Sequence, residues 1–268
     1  MYDCYSRMES KTALVLSAGG MFGAYQAGAW EELSGCFRPD MVIGTSVGAL
    51  NAWAIAGGCS PADLIHRWMD PSAAAFLQLR VPILPWRACF DHGSFLHHIQ
   101  ELFAVFRPQL PCGVVMIDLL RRRPRLMQSP DIRWEHLAAA CAIPLGLPPV
   151  RVDGRLYVDG GLLNVAPLWA AREMGAERAV VVNALPRLQS PLVRAVVGVM
   201  RSISPLTPEP RDLEVVTITP SVPLGTLWES VRWTRDAVLR SIDRGAADAR
   251  RALSEIQAGR DPAQPVLQ

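Results

Sequence analysis

Short apolar and β-branched runs alternate along this chain with longer segments whose apolar positions recur at helical spacing. That alternation predicts a mainly parallel sheet covered on both faces by helices. The first run, Thr12–Leu16, enters a glycine-rich turn and is followed by a helical segment over 24–33. The second, 41–43, enters a glycine–serine turn, and an alanine-rich apolar stretch continues to Gly57 and Gly58. Further strands are expected at 114–118, 125–128, 155–158, 179–183 and 215–219, with Asp153-Gly154 as the hairpin turn before 155. Helical patterns surround His66, cover 95–103 and follow His136, and a long amphipathic helix is expected over 228–256 with a break at Gly245. The fold class is therefore α/β, a three-layer α/β/α arrangement with a mainly parallel central sheet.

The turn after the second strand reads Gly44-Thr45-Ser46-Val47-Gly48. A serine between strand and helix in such a turn is lifted from the sheet, with its hydroxyl beside the positive end of the new helix. That is the layout of an activated nucleophile, although a serine there also serves as a plain helix cap. A base and an oxyanion hole elsewhere in the chain decide between the two.

A serine hydroxyl attacks only when a neighbour takes its proton. His66, His92, His97, His98 and His136 are the histidines, and none is well placed. His66, His97, His98 and His136 fall in helical patterns where structural or surface roles are expected. Asp159 is the better base, because it ends an apolar strand and is followed by Gly160 and Gly161. An Asp-Gly turn is the rival reading, but Asp153-Gly154 already supplies the turn of that hairpin. Upstream, Gly19, Gly20 and Gly23 lie between the first strand and its helix, where glycine amides, with that of Met21, are free to face an anion. A dinucleotide loop fits less well: the glycine register is wrong, and no acidic residue ends the next strand.

With these three motifs in this order, the chain resembles the patatin-like phospholipases. The likeness extends through 24–28, Ala142-Ile143-Pro144, 148–150, 162–167 and 171–176, covering roughly 11–185 with a weaker echo over 225–253. It implies a Ser46–Asp159 dyad without histidine, an oxyanion hole at Gly19, Gly20 and Met21, and Gly23, Gly44, Gly48, Gly160 and Gly161 as motif glycines. It also implies a lipid ester as substrate, cleaved through an acyl-enzyme, and neither metal nor cofactor. The chain departs from the family at Ala18, where a third glycine is usual, and at Phe22, where a basic residue is usual. Phe22 is expected to make the mouth of the site more apolar, which draws neutral esters and lysolipids in beside phospholipids. Cys141 stands where many relatives have serine. Two other readings stand beside this one: a weak or inactive lipid-binding or regulatory protein, motivated by the substituted glycine loop, and a triad esterase that uses one of the five histidines.

The remaining features bound the picture. The chain has 268 residues, half of them apolar, enough for one large core, so one domain is expected over 11–258, between a flexible 1–10 and a tail over 259–268. A net charge of +2 does not point to nucleic acid, and the six scattered cysteines suggest reduced thiols rather than a disulfide framework. The start of the chain lacks an apolar signal core and no apolar run is long enough to span a bilayer. A cytoplasmic protein is the expectation, with peripheral membrane contact. Residues 82–111, aromatic between prolines, suit either a cap over an acyl pocket or a packed insertion, and packing is favoured. Residues 190–204 suit an interfacial helix or, in preference, a core helix.

Overall fold

A computed structural model describes residues 10–71, 92–144, 146–185, 210–226 and 228–258, together with 198, 202 and 204. The expectations for the first nine residues, for most of 190–204, for the tail and for the first part of 82–111 lie outside the described residues.

The described strands are β1 (Thr12–Leu16), β2 (Met41–Thr45), β3 (Cys112–Asp118), β4 (Arg123–Gln128), β5 (Val150–Val152), β6 (Arg155–Asp159), β7 (Arg178–Val182) and β8 (Glu214–Ile218). They form one sheet in the order β5-β6-β3-β2-β1-β7-β8, with β4 also on β3. β3, β2, β1, β7 and β8 run parallel, while β4 and β6 pair antiparallel with β3 and β5 pairs antiparallel with β6. Apolar residues on both faces bury the parallel strands twice over. Leu14, Leu16, Val42 and Val180 point into one core, whereas Ala13, Val15, Ile43 and Val181 point into the other.

The first core lies under α1 (Gly23–Leu33), α2 (Val47–Ala56), α5 (Trp134–Ala140) and α7 (Arg235–Gln257). There α3 (Pro61–Met69) packs on α1 and α7, and α4 (His92–Val105) on α2 and α5. The second core is closed among the described helices by α6 (Leu168–Glu173), through Ala170 and Ala171. This is the expected sandwich. The hairpin also forms as expected, with Asp153 at φ 47° and Gly154 at φ 76° between β5 and β6.

The long C-terminal helix departs from expectation in two ways. It begins at Arg235, where the Thr234 hydroxyl accepts from the Ala237 amide at 3.3 Å, and residues 228–234 form turns instead. It also runs through Gly245 without a break. That glycine is a packing device: a Cβ there would overlap the Tyr25 carbonyl of α1, as one at Gly28 would overlap the Ile242 carbonyl of α7. The two backbones cross glycine against backbone. α4 packs inward through Phe95, Ile99 and Leu102, and Phe103 stacks on Trp53 with ring centroids 4.8 Å apart.

Candidate active site

Ser46 sits between β2 and α2 with φ 54° and ψ −138°, a conformation that L-residues rarely adopt and that persists where the surrounding structure enforces it. Gly44 and Gly48 permit the turn. A side chain at Gly44 would overlap the Gly48 backbone, and one at Gly48 would overlap the end of β1. Ser46 is 4 % exposed.

Asp159 reaches Ser46 by an unusual use of one strand edge. β4 occupies one edge of β3 from Gly113 to Asp118. On the other edge β2 pairs only as far as Val115, opposite Thr45, and β6 pairs from Asp118 back to Met116, opposite Asp159. Two strands thus arrive head to head along β3 from opposite directions, and their last residues bring Ser46 and Asp159 together. Gly160 fits the junction because a Cβ would strike Thr45 and the Val115 carbonyl. The Asp159 carboxylate accepts the Gly161 amide at 2.7 Å, and the Ser46 hydroxyl lies beside it. Burial pushes its pKa up to about 7, against the opposing pull of those two donors.

The glycine loop lies beside them at the end of β1. The Gly19 and Gly20 amides donate to no partner among the described residues. The expectation for Met21 needs correction, since its amide donates to the Ser230 carbonyl at 2.8 Å and so is already used. Gly20, at φ 56°, presses on the same carbonyl. The Phe22 expectation also fails: its ring is 4 % exposed, packed in the core, and does not line the hollow at Ser46. Ala18 is accommodated because Gly161 has no side chain, a Cβ there falling 2.5 Å from that of Ala18.

Sequence reasoning missed a buried polar chain that ties this loop to α2. Gln26 Nε2 donates to the Ser17 carbonyl at 2.7 Å. Asn51 Nδ2 donates to Gln26 Oε1 at 2.9 Å and to the Gly23 carbonyl at 3.0 Å, while Asn51 Oδ1 accepts from Trp68 Nε1 at 3.1 Å. Ser17 Oγ donates to the Ala18 carbonyl and accepts the Ala184 amide. The signal available was Asn51 itself, a lone amide in an otherwise apolar helix.

Among the described residues no histidine acts on Asp159. Arg133 donates its amide to His136 Nδ1 at 3.0 Å, so His136 caps α5, and burial lowers its pKa. His97 pairs with Glu101 on the surface. His66 is exposed on α3, and His98 is half-buried on α4. A hollow of about 40 Å³ opens at Ser46, walled by Leu50, Trp68, Phe95, Ile143, Leu147 and Cys141. Burial and the neighbouring Asp159 raise the Cys141 pKa, keeping it a neutral thiol. No group of three or more His, Cys, Asp or Glu side chains among the described residues is placed to hold a metal.

The strand–elbow–helix serine and the strand-end carboxylate thus lie together at the carboxyl end of β2 in an α/β fold. The family description Patatin-like phospholipase matches residues 14–111 and 117–172, more than half of the chain, and the chain belongs to that family. It is 27% identical over 180 residues to patatin-like phospholipase domain-containing protein 7 of Rattus norvegicus, covering 64% of this chain and 13% of that protein. It is 24% identical over 200 residues to the neuropathy target esterase sws of Drosophila melanogaster, covering 68% and 14%. The chain thus spans about an eighth of the length of these relatives. The crystal structure of VipD from Legionella pneumophila shares the fold, with a TM-score of 0.51 at 12% identity over 93% of this chain and 68% of that one.

Proposed function

We propose that the protein is a serine hydrolase that cleaves acyl esters of lipids, with Ser46 as nucleophile and Asp159 as base. The observation that carries this reading is the strained Ser46 beside a buried carboxylate whose pKa is about 7. A base is most useful when its pKa lies near the working pH, and burial supplies that here without histidine. Family membership and the esterase named among the relatives support lipid esters as the substrate class.

In the first half-reaction the Ser46 proton passes to Asp159 as Oγ adds to the ester carbonyl. The Gly19 and Gly20 amides hold the oxyanion, each such donor contributing roughly 3 kcal/mol. Collapse expels the alcohol, which takes the proton back from Asp159. Water then attacks the acyl-enzyme with Asp159 again as base, releasing the acid and restoring Ser46. No step calls for a metal or cofactor.

Contact with a lipid surface fits the turns at 228–234. Trp228 is 52 % exposed, Arg232 and Arg235 beside it in sequence are exposed, and the same turns touch the glycine loop through Ser230. Tryptophan favours the bilayer interface and arginine its phosphates. No described helix is long and apolar enough to cross a membrane.

Labelling by a fluorophosphonate ester tests the hydrolase reading. The folded wild type is expected to label, Ser46→Ala not to label, and Asp159→Asn to label about 10²–10⁴-fold more slowly. A folded wild type that fails to label contradicts it.

A further inference from the structure

Five large apolar side chains stand exposed among the described residues, and three of them, Leu120, Val222 and Trp228, lie in segments that leave the carboxyl ends of β3 and β8. Those strands run parallel to β1 and β2, so this is the end of the sheet that carries Ser46 and the glycine loop. Leu120, at 78 %, is the most exposed of the five. It stands in the turn between β3 and β4, and that turn is fixed. The buried Asp118 carboxylate accepts the Arg121 amide and guanidinium, each at 3.0 Å. The Leu119 amide donates to the Leu156 carbonyl of β6 at 2.9 Å, and Arg122 takes φ 54°. Leu120 is held out into water by a built turn.

Arginines surround that tip. Arg121, Arg122, Arg123 and Arg125 are all exposed, and no acidic residue falls between Asp118 and Asp131. Arg123 lies opposite Asp118 and Arg125 opposite Met116, whose partners on β6 are Tyr157 and Asp159. Residues opposite one another share a face, so Arg123 and Arg125 stand on the Asp159 side of the sheet. Arg155 stands there too, four residues back along β6 from Asp159, about 13 Å at the rise of a strand. Arg122, Arg123, Arg125 and Arg155 have no ion pair among the described residues. An outer strand uses charge and proline to refuse further strands, which accounts for Arg123, Pro124 and Arg125 on β4. It does not account for an apolar tip held out beside them.

We propose that this turn and its arginines dock the protein on an anionic lipid bilayer, with Leu120 entering the headgroup boundary and the Ser46 end of the sheet facing the lipid. The inference rests on the lipid-ester reading for its choice of a bilayer, and adds the surface and the lipid charge by which the site meets its substrate. Each arginine near an anionic leaflet raises partition about fivefold, and salt weakens that attraction. Burial of Leu120 adds about tenfold. β3 and β8 lie on opposite sides of β2 and β1 in the sheet, so the Leu120 turn and the Trp228 segment leave from either side of the site.

The test is co-sedimentation of the full chain with vesicles of phosphatidylcholine, with and without phosphatidylserine, at low and at physiological salt. Wild type is expected to bind the anionic vesicles at least about tenfold better than the neutral ones, and less well as salt rises. Arg122→Gln, Arg123→Gln and Arg125→Gln together are expected to cut that binding about a hundredfold, and Leu120→Ser about tenfold. None of these side chains lines the hollow at Ser46, so both variants are expected to keep wild-type fluorophosphonate labelling, and thermal melts confirm that they are folded. A wild type that labels but binds both vesicles alike, or a folded arginine variant that binds as wild type does, overturns the docking face while the hydrolase reading stands. Binding that falls with the arginines but not with Leu120→Ser marks a patch for polyanions in general, nucleic acid included, and overturns the bilayer. Vesicle binding as expected in a folded protein that does not label overturns the hydrolase reading alone.

Discussion

Burial places two opposed demands on Asp159. Desolvation raises its pKa to about 7, which suits the base role proposed for it, yet its ionisation inside the protein costs folding energy. Between an unfolded value of about 3.9 and the folded value of about 7, the native state binds the extra proton, so stability falls as pH rises through that window and is level above it. Asp159→Asn keeps an acceptor for Gly161 but has nothing to ionise. At pH 8 it is expected to melt roughly 5 °C higher than wild type, a gain of a few kcal/mol that vanishes at pH 4. Differential scanning calorimetry at the two pH values checks this, and an equal or lower Tm at pH 8 counts against it. Asp159 and Ser46 were both legible in the sequence because each is marked locally, by a glycine motif at a strand end. The loss of Met21 as an oxyanion donor was not legible, since Ser230 lies more than two hundred residues away and only the folded chain brings its carbonyl there.

At the level of elements, the polar chain from Ser17 to Trp68 holds the glycine loop against α2. Its groups are buried and paired, so removing one strands the others without partners, at about 1–3 kcal/mol. Asn51→Leu is expected to destabilise by that amount and to lower kcat with little change in KM for short esters, because loop position matters most once charge develops. Chemical denaturation and steady-state kinetics read the two effects, and a variant that loses stability but keeps wild-type kcat removes the positioning role. The helix crossing offers a second test. Gly245→Ala is favourable by propensity, worth about 1 kcal/mol in an exposed helix, but here its methyl meets the Tyr25 carbonyl. A net destabilisation of about 1–3 kcal/mol is expected in urea unfolding. The sequence reading took Gly245 for a break because propensity is local, while the contact that keeps it glycine is made with another helix.

For the whole molecule, alternating strands and helices gave the sandwich from pattern alone, since parallel strands buried on both faces must be apolar throughout. What the pattern does not encode is that β2 and β6 share one edge of β3. That two strands so far apart in the chain meet end to end on β3 carries no local mark, yet that shared edge is what joins Ser46 to Asp159. The surface offers a test at the same scale. Trp228→Ala is expected to reduce turnover of esters in anionic vesicles by tenfold or more relative to a soluble short-chain ester, and equal losses on both substrates contradict a membrane role for that face.

The central claim is that Ser46 is activated by Asp159 and by no histidine. The most direct measurement is the pH dependence of the fluorophosphonate labelling rate in wild type and in single alanine variants of His66, His92, His97, His98 and His136. The rate is expected to rise tenfold per pH unit up to an inflection near pH 7 and then level, with the inflection unchanged in every folded histidine variant. Loss of labelling or of the inflection in one folded histidine variant, with Asp159→Asn labelling at the wild-type rate, would contradict the account.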